Sequence, residues 1–164
     1  MTEEMVDIVD KNNQVINTVP RRIMRRDHLP HRATYIVIAD GNGKFYVQIR
    51  TKTKDYCPGM LDACTGGVVS TGEDYQEGAL RELYEEMGIQ GKKLRFCGIH
   101  QLGVAPDMVF GGLYYTVYQG ELQLQESEVA GVIMMTREEI LTRAAEFTPD
   151  SIEAFRIILT EIEK

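Results

Sequence analysis

Three glutamates in one short segment have the spacing of metal ligands on a helix. Glu82, Glu85 and Glu86 stand at positions i, i+3 and i+4. At about 100° per residue, their side chains share one arc of roughly 100°. Carboxylate oxygens are the ligands that Mg²⁺ and Mn²⁺ prefer, whereas like charges at this spacing repel by about 0.2–0.5 kcal/mol per pair. A bound divalent cation would remove that repulsion.

The same three glutamates are also typical of a solvated acidic helix face, which is a common feature. The residues around them favour the metal site. Gly67 stands six positions before Glu73, Arg81 directly precedes the first of the three glutamates, and Gly88-Ile89 closes the segment. This resembles the Nudix box: Gly, five residues, Glu, seven residues, Arg-Glu, an aliphatic, one residue, Glu-Glu, one residue, Gly and an aliphatic. All nine defined positions match over residues 67–89.

The resemblance implies a role for each matched residue. The expected cofactor is Mg²⁺ or Mn²⁺, with these ligands: Glu82, Glu85, Glu86 and the carbonyl of Gly67. Glu85 or Glu86 is also the expected catalytic residue, which helps to deprotonate the attacking water. Glu73 and Arg81 are expected to form a structural pair that holds the strand, loop and helix of the box in shape.

The reaction implied by the box is metal-dependent hydrolysis of a diphosphate bond. A divalent cation neutralises phosphate charge and lowers the pKa of a bound water, which then attacks phosphorus in line. The expected substrate is a small nucleoside-diphosphate-linked or related molecule. Nucleoside di- and triphosphates, nucleotide sugars, dinucleotides and prenyl diphosphates stay open, because the box does not contact the group attached to the diphosphate.

Upstream of the box, the chain resembles the isopentenyl-diphosphate isomerase branch of the Nudix superfamily. The matching pieces are VDIVD, the residues 31–33, VQIR, Lys54 and Pro58-Gly59. In that branch, basic residues that match Arg50 and Lys54 contact the substrate diphosphate, and we expect the same here. Ordinary solvated charges at a strand end are the alternative for both residues. In some Nudix enzymes a glutamate of the loop matching Glu126 and Glu128 binds metal or acts as the base, although both residues also suit an exposed acidic loop.

Two other functions compete with hydrolysis. The isomerase needs a catalytic cysteine where Gly66 stands, and Cys64 lies two residues earlier. The metal histidine expected at Val68 and the carboxylates expected near residues 111–114 are also missing, and only His31 matches one of its metal histidines. A non-catalytic Nudix domain that senses a ligand would usually lose box glutamates, and this chain keeps them all. The chain most resembles the isomerase-like hydrolases of the YfcD type, which also share its runs at residues 125–129 and 146–151.

Composition limits the partners and the compartment. The 164 residues carry a net charge of −7, which argues against a general nucleic-acid binder. The acidic N-terminus, residues 1–13, is unlike a secretory signal, and no apolar run has the length of a membrane span. Three widely separated cysteines fit a reduced, cytoplasmic protein. We therefore expect a small-molecule partner, no nucleic acid and no membrane, while a homodimer stays open because dimers are common in the family.

Hydrophobic patterning predicts one domain over residues 1–164, with an N-terminal extension over residues 1–32. Residues 5–9 and 14–19 are predicted to form a hairpin, followed by the basic stretch of residues 21–26, which could reach phosphate or form a solvated helix face. Further strands are predicted at 34–39, 45–50, 63–69, 95–102, 112–120 and 129–135. Helices are predicted at 74–87, 137–146 and after Thr148-Pro149, where Thr148 would be the cap. The expected fold is an α/β (α+β) class Nudix α/β/α sandwich with a mixed β-sheet and an N-terminal β-hairpin extension.

Overall fold

A computed structural model describes residues 3–103 and 106–164 of the chain. Residues 1, 2, 104 and 105, which fall inside the predicted domain bounds, lie outside the described residues. The described strands are β1 Met5–Val9, β2 Val15–Pro20, β3 His31–Ala39, β4 Lys44–Arg50, β5 Leu61–Asp62, β6 Arg95–Leu102, β7 Val109–Val117 and β8 Val129–Thr136. The helices are α1 Arg21–Asp27, α2 Tyr75–Met87, α3 Arg137–Thr142 and α4 Pro149–Ile162, with a 3-10 turn at Ala144–Glu146. No described helix has the length and apolar character needed to cross a membrane.

Strand β3 runs through the centre of a mixed sheet. It pairs in parallel with β7 over its whole length, from His31 opposite Val109 to Ala39 opposite Val117. The other pairings are antiparallel: β1 joins β2 and β3, β4 joins β3, β5 and β8, and β6 joins β7. The predicted N-terminal hairpin is confirmed, because β1 and β2 pair across the turn at residues 10–14.

Two hydrophobic cores cover the two faces of the sheet. Along β3, alternate residues point to opposite faces: Tyr35 and Val37 belong to the core that contains α4, whereas Ile36 and Ile38 belong to the core that contains α2. Helix α4 contributes Ala154, Phe155, Ile158 and Leu159 to the first core, and α2 contributes Ala79, Leu83 and Met87 to the second. The sheet therefore lies between helical layers, as the α/β/α prediction requires.

Helix α2 begins and ends at the residues that the sequence predicts. The Asp74 carboxylate accepts from the Glu77 backbone N–H at 2.8 Å, and the Glu77 carboxylate accepts from the Asp74 N–H at 3.1 Å, which makes a capping box. Gly88 ends the helix at φ 72°, a conformation that glycine adopts without strain. Ala79, Leu83 and Met87 of this helix are buried, whereas Leu80 is 39% exposed.

The predicted strand at residues 63–69 is not a continuous strand. Regular pairing ends with β5 at Asp62, and the chain then meets β3 only through isolated bridges, Thr65 to Ile36 and Val68 to Ala33. A β-carbon on Gly66 would lie 1.9 Å from the Thr34 carbonyl oxygen. The glycine thus allows two backbones to approach more closely than a regular ladder permits.

The C-terminal elements also differ from the prediction in two details. The helix predicted at residues 137–146 ends at Thr142 and continues as the 3-10 turn. Thr148 makes no side-chain cap to α4, although Pro149 takes the first turn as predicted. The Thr148 hydroxyl instead donates to Asp62 Oδ1 at 2.8 Å, because Asp62 is buried and needs that donor.

Candidate active site

The three box glutamates of α2 open onto one cleft, which we call the acidic cleft. It is lined by Glu4, Arg21, Lys54, Gly66, Gly67, Ser70, Arg81, Glu82, Glu85, Glu86, Gln125 and Glu128. Helix α2 supplies one wall, the glycine pair before it supplies the floor, and the loop before β8 supplies the rim. That loop is held to α2 by the Gln125 N–H, which donates to the Glu86 carbonyl at 3.1 Å.

Gly67 lies directly against the carboxylate of Glu82. A β-carbon at Gly67 would lie 2.7 Å from Glu82 Oε1, so a larger residue would push this carboxylate out of place. The Gly67 carbonyl, which is the predicted fourth ligand, accepts from the Thr34 N–H at 2.9 Å and so is fixed to β3. The Thr34 hydroxyl donates to the same oxygen at 3.4 Å, a long hydrogen bond that a cation at this carbonyl would displace.

Arg81 connects the carboxylates of the box. Its guanidinium donates to Glu73 at 2.5 and 2.9 Å, to Glu82 Oε1 at 2.9 Å and to Glu85 Oε2 at 3.1 Å. Glu73 also accepts from the Ser70 N–H at 2.9 Å. The hydrogen bonds from Arg81 lower the pKa of Glu73, so this carboxylate stays charged. The structure thus places the predicted structural pair in contact, and the same guanidinium orients two predicted metal ligands.

Glu86 is the most deeply buried of the three glutamates. It is 5% exposed, and Gln48 Nε2 donates to its Oε1 at 3.3 Å. Burial, followed by the neighbouring charge of Glu82, raises the pKa of Glu86 to about 8. Burial also raises the pKa of Glu82, against the opposing effect of Arg81. Glu85, with 46% of its side chain exposed, faces the solvent side of the cleft.

The cleft residues fit a divalent cation by their chemistry. The donors are hard oxygens, and burial of Glu86 beside Glu82 places negative charge where a cation would relieve it. Within residues 3–103 and 106–164, no three Asp, Glu, His or Cys side chains are already grouped as a complete ligand set. Arg81 donates to one oxygen of Glu82 and one of Glu85, and a cation would share these oxygens.

The two predicted diphosphate contacts differ in their surroundings. Lys54 lines the acidic cleft, where its ammonium donates to the Glu128 carboxylate. Arg50 lies deeper and donates to Asp62 Oδ2 at 2.6 Å and to the Tyr56 carbonyl at 2.7 Å. Arg50 therefore already has an internal anion, and contact of either residue with a diphosphate stays a prediction.

The loop before β8 separates its two candidate glutamates. Glu128 lines the acidic cleft and pairs with Lys54, whereas Glu126 lies on the exposed part of the loop. The structure therefore brings Glu128, and not Glu126, together with the box glutamates. A role for either residue as base or ligand stays a prediction.

A second cavity, which we call the polar pocket, adjoins the acidic cleft. Its walls are formed by Arg21, Arg25, His31, Ala33, Thr34, Tyr35, Arg50, Lys54, Tyr56, Asp62, Cys64, Gly66, Gly67, Val68, Asp107, Val109 and Asp150. Four of these residues, Arg21, Lys54, Gly66 and Gly67, also line the cleft. The two cavities thus meet at a boundary made of two cations and a glycine pair.

Asp150, in the first turn of α4, holds the far wall of the polar pocket together. Its carboxylate accepts from the Tyr35 hydroxyl at 2.6 Å and from the Tyr56 hydroxyl at 3.1 Å. Sequence reasoning missed Asp150 and both tyrosines, because they come from three distant parts of the chain and share no motif. Cys64 is buried, and burial raises the pKa of its thiol well above the usual value.

Comparison with known proteins places the chain among Nudix proteins. The family model described as NUDIX domain matches residues 29–155. A Salmonella typhi protein named uncharacterized Nudix hydrolase YfcD is 47% identical over 161 residues, which is 98% of this chain and 88% of that protein. An uncharacterized Nudix hydrolase of Pseudomonas aeruginosa is 32% identical over 158 residues, which is 95% of this chain and 94% of that protein.

Solved structures show the same fold at low identity. The crystal structure of DR0079 from Deinococcus radiodurans superposes with a TM-score of 0.76 at 21% identity and covers 94% of this chain and 97% of that one. The NUDIX domain of Shewanella oneidensis NrtR, solved in complex with ADP ribose, gives a TM-score of 0.65 at 14% identity and covers 80% and 87% of the two chains.

Proposed function

The chain belongs to the Nudix family of hydrolases, and from that premise we propose that it hydrolyses the diphosphate bond of a small substrate in the acidic cleft, with Mg²⁺ or Mn²⁺ as cofactor. The observation that carries this proposal is the position of the cleft beside the polar pocket. Carboxylates on one side suit a metal ion, and Arg21 and Lys54 at the boundary suit phosphate oxygens. A diphosphate at the boundary would contact both.

The bound cation would neutralise phosphate charge and lower the pKa of an attacking water. In the reaction, the water oxygen forms a bond to phosphorus, the bond from phosphorus to the bridging oxygen breaks, and the water proton passes to a carboxylate. Glu86 suits this last role, because Gln48 holds its side chain and a bound cation would keep its carboxylate ionised and able to accept a proton. Glu85 is the alternative, since it is more exposed on the same face.

The other residues of the box position these groups. Arg81 is oriented by Glu73 and in turn holds Glu82 and Glu85, while the missing side chain of Gly67 leaves room for the Glu82 carboxylate. Lys54, which pairs with Glu128 in the free protein, would bind a phosphate oxygen as a point charge. These contacts support a cleft that is built before the substrate arrives.

Chromatographic detection of the monophosphate products from a panel of diphosphates tests the proposal. The panel includes nucleoside diphosphates, nucleotide sugars, dinucleotides and prenyl diphosphates, each with Mg²⁺, with Mn²⁺ and with EDTA. We expect turnover of at least one compound that EDTA abolishes and added metal restores. Turnover that survives EDTA would contradict the metal requirement. Tight binding of a compound with no turnover of any would instead favour a ligand-sensing domain.

A further inference from the structure

Arg25 lines the polar pocket, and its guanidinium pairs with Asp55 without a hydrogen bond. Its Nε is buried, and among the residues that the structure describes it has no hydrogen-bond partner. The Asp55 carboxylate oxygen at 3.6 Å is too far away for a hydrogen bond, and the guanidinium carbon lies 5.2 Å from the centre of the Tyr56 ring. Burial lowers the pKa of Arg25, so the free protein does not favour this charge. The Arg25 Nε is closed to the pocket, but the side chain is 21% exposed and lines the cavity, so the guanidinium has spare donor capacity for a ligand there.

His31 offers the same pocket a hydrogen-bond acceptor, whereas Arg25 offers a donor. The side chain is 5% exposed, and its Nδ1 lies 2.9 Å from the Leu29 carbonyl oxygen. Burial lowers the pKa of His31 to about 4, and the charges of Arg25 and Arg21 act in the same direction. The ring is therefore neutral at pH 7, with the proton on Nδ1, so Nε2 is an acceptor. In the part of the chain that the structure describes, Nε2 has no partner.

The two arginines also bear on the resemblance of His31 to a metal histidine of the isomerase. Arg21 and Arg25 line the same pocket as His31 and disfavour positive charge on its ring. The same cations would repel a metal ion at Nε2. His31 therefore suits a neutral hydrogen-bond donor from a ligand better than a cation.

A donor and an acceptor in one pocket select for groups that can satisfy both. A sugar hydroxyl can donate to His31 and accept from Arg25, and the amide edge of a nucleobase can do the same. An alkyl chain would leave both protein groups without partners and gain neither hydrogen bond, so it should bind about tenfold more weakly for each bond that it cannot form. Sites built to hydrogen-bond a substrate reject analogues that lack the matching groups for this reason.

We propose that Arg25 and His31 are specificity-determining residues, and that the polar pocket binds a diphosphate whose attached group carries hydroxyl or amide groups in preference to one that carries an alkyl chain. The proposal rests on the proposed function for the position of the diphosphate in the adjoining cleft. Tyr35 and Tyr56 line the same pocket, and both of their hydroxyl groups donate to Asp150.

Binding of three matched ligands tests the selection. They are isopentenyl diphosphate, ribose 5-diphosphate and uridine 5′-diphosphate, each with a methylene in place of the bridging oxygen, so that no turnover is needed. Titration calorimetry of the full chain with Mg²⁺ gives each Kd. We expect the ribose and uridine ligands to bind at least tenfold more tightly than the isopentenyl ligand. The difference between ribose and uridine ligands separates a sugar site from a base site.

Variants assign the selection to the two residues. Arg25→Met and His31→Phe should each weaken binding of the ribose or uridine ligand by about tenfold, the loss expected for one unpaired partner. Binding of the isopentenyl ligand should change less than threefold. Arg26→Met, on the same helix with 66% of its side chain exposed, is the matched control and should bind like the wild type. Arg25→Met should also keep or raise Tm, whereas a purely structural arginine would lower it.

Equal wild-type affinities for the three ligands, tighter binding of the isopentenyl ligand, or an equal loss for all three in Arg25→Met would overturn the proposal. If His31→Phe fails to fold, the Arg25→Met variant still tests the proposal. Because these measurements need no hydrolysis, selective binding without any turnover would leave this inference standing and contradict the proposed function. Hydrolysis of the parent sugar and alkyl diphosphates with equal kcat/KM would support the proposed function and contradict this inference.

Discussion

The acidic cleft and the polar pocket share a boundary but are built in different ways. The predicted metal ligands of the cleft come from one helix and the short loop before it, between Gly67 and Glu86, whereas Glu4 and Glu128 join the cleft from other parts of the chain. The groups that define the pocket come from α1, β3, the loop after β4 and the start of α4, so they meet only in the complete fold. A site for a reaction common to a family can thus be local in sequence, while the site beside it is assembled from distant residues.

Both cavities hold charges that the free protein does not compensate fully. In the cleft, burial beside Glu82 raises the pKa of Glu86, and in the pocket burial lowers the pKa of Arg25. The signs are opposite, so the ligands that would relieve them are a cation on one side and an oxygen-rich group on the other. Buried charges without full compensation are typical of functional sites, in folds whose other residues satisfy the rules of packing and hydrogen bonding.

The largest effect is expected from removal of charge at Glu86. The substitution Glu86→Gln should lower kcat by at least about 100-fold, because a general base contributes roughly 10²–10⁴-fold. The same change removes a buried carboxylate, so Tm should stay equal or rise. Metal-dependent formation of the monophosphate products and thermal unfolding measure the two quantities. Glu138→Gln, at an exposed position of α3, is the control, and full turnover in Glu86→Gln would leave Glu85 as the candidate base.

The Arg50 and Asp62 pair, with side chains only 13% and 11% exposed, tests whether a basic residue of the pocket is structural. Arg50→Met leaves the Asp62 carboxylate with the Thr148 hydroxyl alone and should cost about 2–4 kcal/mol in the free energy of unfolding. Adding Asp62→Asn should recover part of this loss. If KM for the substrate recovers as well, Arg50 acts through the fold, and if KM stays high, Arg50 contacts the diphosphate as predicted.

Local sequence signals explain which parts of the molecule could be predicted. The capping residue Asp74, the stop at Gly88 and the apolar run of β3 each act within a few residues; α2 forms over the predicted range, and β3 begins three residues before the predicted strand at 34–39. The run at residues 63–69 failed because its conformation depends on the approach of Gly66 to Thr34, which no local pattern records. Thr148 failed as a cap because a buried carboxylate 86 residues away takes its hydroxyl.

The two cavities also differ in whether local sequence signals identify their residues. The box fixes its residue types by spacing, so sequence could name every side chain of α2 that faces the cleft. Arg25 lies among four arginines in residues 21–26, and its sequence neighbours do not distinguish it from Arg26. Only the packing of α1 buries one guanidinium and leaves the other exposed. The residues that we propose for the specificity of the pocket could therefore be identified only from the fold.

His31 gives the pocket a dependence of stability on pH. Its folded pKa of about 4 lies below the unfolded value near 6.5, so only the unfolded chain takes up a proton between these values. The stabilising contribution is present above pH 6.5 and is lost as pH falls towards 4, by on the order of 2 kcal/mol. Chemical unfolding at pH 7 and pH 4.5 should show a smaller loss in His31→Phe than in the wild type. Tyr35→Phe, on the same strand, should keep the wild-type loss, and equal losses in all three proteins would mean that His31 does not carry the dependence.

The smallest effects are expected at the rim of the cleft, where Glu126 and Glu128 form a matched pair. Glu128 is 37% exposed at its side chain and holds Lys54, so Glu128→Gln should change the free energy of unfolding by less than about 1 kcal/mol. If Glu128 also contributes to the metal site, the Mg²⁺ concentration at half-maximal activity should rise a few-fold, with kcat nearly unchanged. Glu126→Gln, which removes an exposed carboxylate of the same loop, should change neither quantity. Equal shifts in both variants would show that the loop acts through its summed charge, and a rise in KM without a change in the Mg²⁺ requirement would assign Glu128 to the positioning of Lys54.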